Sequence, residues 1–108
     1  ALLVAKLHKL GERVETPGRL NDKDAHDIYR LLVATETPDL AETMQRLHAD
    51  EVSQGATTQA LGYLEQLFAS ADALGATMAG RAEEGVGQPD TVSASVSLLA
   101  QDLLSALA

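Results

Sequence analysis

Leu3, Leu7, Leu10 and Val14 stand three or four residues apart, and that interval recurs almost to the end of the chain. It returns in Ile28, Leu31 and Leu32, then in Leu40, Met44 and Leu47, then in Leu61, Leu64, Leu67 and Phe68. The last series is Val92, Val96, Leu99, Leu103 and Leu107. Spacings of three and four gather apolar side chains on one side of a helix, whereas a strand needs alternation. No stretch alternates convincingly. The fold class predicted is therefore all-α, a helical bundle of about five to six helices joined by short loops.

Punctuation divides the pattern. The first helix is predicted over residues 2–14, broken at Thr16, Pro17 and Gly18. The second opens on Asn21 as N-cap, with Asp22 and Asp24 in a first turn where the helix dipole favours negative charge. Thr37 is expected to cap the third, with Pro38 at the first helical position and Val52 extending its apolar stripe. Gly55 is read as the break before a fourth helix. The stretch ASADALGATMAG either continues that helix or forms a short fifth, weakened by about 1 kcal/mol at each of Gly75 and Gly80. EEGVGQPD reads as a loop, and the final helix as starting near Asp90 or Thr91. No repeat of useful period appears, which disfavours a solenoid.

The chain's 108 residues suit one helical domain, residues 1–108, able to bury a core without staples. It has no Cys, which fits a reducing compartment and leaves no thiolate metal site. No apolar run approaches the roughly 18 residues of a membrane span. The opening ALLVAKLHKL has cations within a helical pattern and no cleavage site, so a cytoplasmic protein is expected. Because Ala1 already stands in mid-pattern, the chain is read as a C-terminal fragment of a longer protein.

Net charge is −8, unevenly placed: residues 1–30 hold six cations against five carboxylates, and the remainder carries −9. Duplex DNA is an improbable partner, since phosphate neutralisation drives such binding and the first turn of the second helix holds acid. Any polyanion contact belongs to the first thirty residues. Aromatics are few (Tyr29, Tyr63 and Phe68), so base stacking is poorly supplied.

The same thirty residues hold the candidate chemistry. Lys6 and Arg13, seven apart, lie within about 20° on a helix, with Lys9 on the flank. Asp24 and Asp27 are i, i+3 neighbours beside Ile28 and Leu31. An antiparallel packing of the two helices sets a basic row against an acidic one. That juxtaposition has two readings: interhelical salt bridges worth about 1 kcal/mol if exposed, or a site where cations hold phosphate and an aspartate positions a cation or hydroxyl. His8, His26 and His48 lack ligand spacing for a metal, and Asp24 and His26, two apart, point in different directions. Ser and Thr cluster at helix ends, where capping explains them. No phosphate-binding glycine motif occurs, and the Gly-rich loop is acidic.

AKLHKLGER (5–13) followed by LNDKDAHDIYRLL (20–32) resembles the later motifs of the AbiEii-type nucleotidyltransferases, minimal nucleotidyltransferase-like proteins often found as toxins. That family carries a helix of the form xKLxAL…R, then some twenty residues on a helix start of the form (R/K)D…D(I/L). Lys6 and Arg13 match the first; Lys23, Asp24 and Asp27 match the second. The resemblance is close over residues 1–35 and loose beyond. It implies catalytic roles for Lys6 and for Asp24 or Asp27, and substrate contacts from Arg13 and Lys23.

The family's early motif, a Gly-Ser turn followed by metal-binding acidic residues on a strand, is absent. The resemblance thus implies a helical C-terminal part of a nucleotidyltransferase-like protein, transferring NMP from NTP with Mg2+, and an upstream domain of the same chain holding the metal. An antitoxin partner is also implied. The isolated chain needs no cofactor and should not turn over NTP. The rival expectation is a non-catalytic helical interaction or regulatory domain whose acidic surface meets a basic partner.

Overall fold

A computed structural model describes residues 2–108; Ala1, on which the fragment reading rests, lies outside them. Six α-helices form an all-α bundle, with no strand among the described residues. They are α1 (Leu2–Arg13), α2 (Asp22–Ala34), α3 (Thr37–Ala49), α4 (Gln54–Phe68), α5 (Leu74–Arg81) and α6 (Pro89–Leu107), with a 3-10 turn at Pro17–Arg19 after α1.

The 19-residue α6 is the common support: α5, α3, α4 and α2 all pack against it, while α1 packs chiefly on α4 and α2. Each apolar stripe supplies core residues, although Leu47 of the α3 stripe is only partly buried and stands outside the core cluster. Leu3, Leu7 and Leu10 of α1, Ile28 and Leu32 of α2, and Met44 of α3 are buried. They meet Leu64 and Phe68 of α4, Met78 of α5, and Val96 and Leu103 of α6. Leu31, Leu61, Leu99 and Leu107 close the edges of this core, only partly buried.

Local chemistry explains where helices begin. Asn21 caps α2 as expected, its Oδ1 accepting from the Lys23 N–H at 3.0 Å. At α3 the cap stands one residue earlier than expected. Glu36 C=O accepts from the N–H groups of Asp39 and Leu40, both at 3.0 Å, so Thr37 is already helical. Pro38 falls among the first four helical residues, whose N–H groups lack intrahelical partners anyway.

Gly55 is not the boundary before α4. The chain turns earlier, where Asp50 Oδ1 accepts from the Val52 N–H at 2.8 Å, and Gly55 lies in the first turn of the helix. Val52 extends no stripe: it stands in that turn, 93% exposed. ASADALGATMAG resolves into a turn followed by a separate α5, and α6 begins at Pro89, slightly before the expected start.

Gly75 and Gly80, counted as helix weaknesses by propensity alone, mark close approaches. A Cβ on Gly75 would lie 2.7 Å from the Phe68 ring and 2.8 Å from the Leu67 carbonyl oxygen. One on Gly80 would lie 2.7 Å from the Pro89 carbonyl oxygen. Their bare backbones let α5 sit against the end of α4 and the start of α6, which offsets the propensity cost.

Candidate functional site

The basic row of α1 meets the acidic row of α2 along an antiparallel seam. At its upper end Lys6 Nζ stands 3.2 Å from Asp27 Oδ2. Further along, Asp24 takes two cations: Lys9 Nζ at 3.1 Å on Oδ1 and Arg13 Nη1 at 2.7 Å on Oδ2. Four of the five residues singled out from the sequence are thereby brought together. Lys23 is not. It sits exposed in the first turn of α2 and forms no ion pair among the described residues.

The two aspartates differ in what surrounds them. The Asp24 side chain is only 7% exposed, packed where Ala25 and Ile28 enter the core, and both its oxygens are engaged by cations. A carboxylate removed from water needs such partners, since losing one leaves an uncompensated buried charge. Asp27 is 25% exposed and Lys6 27%, and both line an open cleft of about 380 Å³. Leu2, Arg30, Leu31 and Ala34 complete that cleft, so it has an apolar wall, two cations and one carboxylate.

Lys9 enters the network directly rather than from a flank. A helical side chain with four methylenes spans the ~60° that separates it from Lys6, which spacing alone does not reveal. Two further pairs tie α2 to the end of α5. Arg81 donates to both oxygens of Asp22, from Nε at 3.2 Å and Nη2 at 3.0 Å. His26 Nε2 lies 2.6 Å from Glu83 Oε1, not beside Asp24. The hydrogen bonds from Arg81 to Asp22 raise the guanidinium above its ordinary pKa. Nothing in the sequence signals either pair, because 59 and 57 residues separate the partners.

His8 Nε2 is bonded to the Ala56 carbonyl at 2.8 Å, edge-on to the Tyr63 ring, and His48 is exposed on α3. Among the described residues no three His, Asp or Glu side chains gather as metal ligands. The donor set at the cleft does not fit Mg2+: it offers one carboxylate, already facing Lys6, with Arg30 alongside. Among the described residues no helix is long and apolar enough to cross a membrane. No known protein family, curated protein or solved structure matches the chain.

Proposed function

We propose that the chain is the helical C-terminal domain of a nucleotidyltransferase-like protein of the cytoplasm, with Lys6 and Asp27 completing a site for NMP transfer from NTP. One observation carries the reading. In the seam, Lys6 and Asp27 form an ion pair whose cation and carboxylate both line an open cleft, while Asp24 is enclosed by Lys9 and Arg13. Asp27 rather than Asp24 is then the active-site carboxylate, and Asp24 with Arg13 sets the register of α1 on α2. Lys6 neutralises phosphate charge as it develops, the main requirement of phosphoryl-type transfer. Released from Lys6 by an incoming phosphate, Asp27 accepts a hydrogen bond from the acceptor hydroxyl. Arg13, through donors that Asp24 leaves free, and the exposed Lys23 are further phosphate contacts in this reading.

Mg2+ would be held by an upstream domain of the same chain, since the cleft does not supply its ligands. In the longer protein, transfer of labelled NMP should fall by roughly a hundredfold or more on Lys6→Ala. Unchanged transfer would refute the assignment.

A second reading has its own support: every cation of the α1 row already faces an aspartate, as in a purely structural seam. Leu2 beside the cleft and Val33 nearby on α2 are 60% and 57% exposed, which suits a helical interaction or regulatory domain, such as one that meets an antitoxin. Under that reading Lys6→Ala lowers Tm modestly and leaves transfer intact.

A further inference from the structure

A second concavity, of about 420 Å³, opens on the flank of α1 and the turn that follows it. Lys9, Arg13, Arg19, His8, Thr16 and Glu12 line it. We propose that this pocket binds an oxyanion of the phosphate class. The inference shares Arg13 with the transferase reading but is carried by this pocket's own geometry.

Three cations converge on the pocket in a chain whose net charge is −8, so the local sign opposes that of the whole molecule. Two of them are held in place before any ligand arrives. The nearly buried Asp24 fixes Lys9 through one oxygen and Arg13 through the other, which removes much of the ordering cost of binding. Those contacts leave most donors free: an ammonium carries three N–H bonds and a guanidinium five. Arg19 is exposed and forms no ion pair among the described residues, and Thr16 adds a hydroxyl at the rim.

The charge pattern selects the ligand. Three cations repel a metal ion, and a neutral ligand makes no use of them. Glu12 at the wall and Asp24 behind it leave a local excess of one positive charge, matched to an anion rather than to a long polyanion. Donors from both α1 and the following turn can be met by the three acceptor oxygens of a phosphate group, one more than a carboxylate offers. The volume exceeds that of a single water's share, about 30 Å³, more than tenfold, leaving room for a group esterified to the phosphate.

Inorganic pyrophosphate titrated into the 15N-labelled chain at constant ionic strength tests this. Saturable amide shifts should centre on residues 8–19. Arg19→Glu should weaken binding roughly tenfold, equivalent to about 1.4 kcal/mol, whereas Arg46→Glu, the same charge change on exposed α3, should alter it less than about twofold. Shifts that never saturate, shifts scattered over every cation, or equal weakening by the two variants would overturn the proposal.

Discussion

Arg13→Ala and Lys6→Ala each remove one cation from the same face of α1, yet their effects on stability should differ about twofold or more. Arg13 donates at 2.7 Å to a carboxylate that is 7% exposed, so its loss leaves Asp24 with Lys9 alone in a site that water barely reaches. Breaking a fully buried pair costs about 3–5 kcal/mol. The surviving Lys9 and the 30% exposure of Arg13 reduce that to about 2 kcal/mol. Lys6 and Asp27 are each about a quarter exposed and can rehydrate, so their pair is worth about 1 kcal/mol or less. For a domain near 100 residues, each kcal/mol moves Tm by about 4–8 °C. Thermal unfolding followed by circular dichroism at 222 nm should show a Tm loss of about 8–16 °C for Arg13→Ala and under about 8 °C for Lys6→Ala. Added salt should erode the Lys6 effect first, because the pair at the cleft is the more screened. Equal losses, or a larger loss at Lys6, would refute the division of the seam into a buried half and an open half.

Gly75→Ala should destabilise by about 1–3 kcal/mol in urea unfolding, reversing the usual gain from Ala in a helix, because the added Cβ meets the Leu67 carbonyl and the Phe68 ring. Phe68→Ala, at a fully buried position, should cost about 3–5 kcal/mol and lower the urea midpoint accordingly. Asp22 raises the pKa of Arg81, so the pair's contribution is complete below the unfolded Arg value and is lost only as pH climbs through the higher folded value. The Tm difference between wild type and Arg81→Met should therefore be the same at about pH 6 and about pH 9. It should also be small, since both side chains are largely exposed.

The seam was legible before any coordinates because both its rows follow from helical geometry. Residues seven apart on α1 and three apart on α2 must share faces, and the Thr16–Gly18 break forces the helices to fold back on each other. Periodicity cannot say which aspartate enters the core. Asp24 and Asp27 flank the same apolar stripe, and only the packing of α1 against α2 encloses Asp24, between Lys9 and Arg13. The contacts of Arg81 and Glu83 with α2 are illegible for a different reason: they depend on α5 packing beside α2 and on α6 after two intervening helices. The misplaced cap at Thr37 and break at Gly55 share one cause. Residue preference carries no trace of the backbone hydrogen bonds accepted by Glu36 and Asp50, which fix the turns. At Gly75 helix propensity alone implies a cost, and only the tertiary structure brings near the Phe68 ring and Leu67 carbonyl that require the missing side chain.

The most direct test of the proposed function compares Asp27→Asn with Asp24→Asn, measuring NMP transfer in the proposed longer protein and Tm in the chain itself. The account predicts that Asp27→Asn abolishes transfer while barely moving Tm, and that Asp24→Asn lowers Tm more while the folded fraction retains transfer. Transfer lost at Asp24 and kept at Asp27 would contradict it.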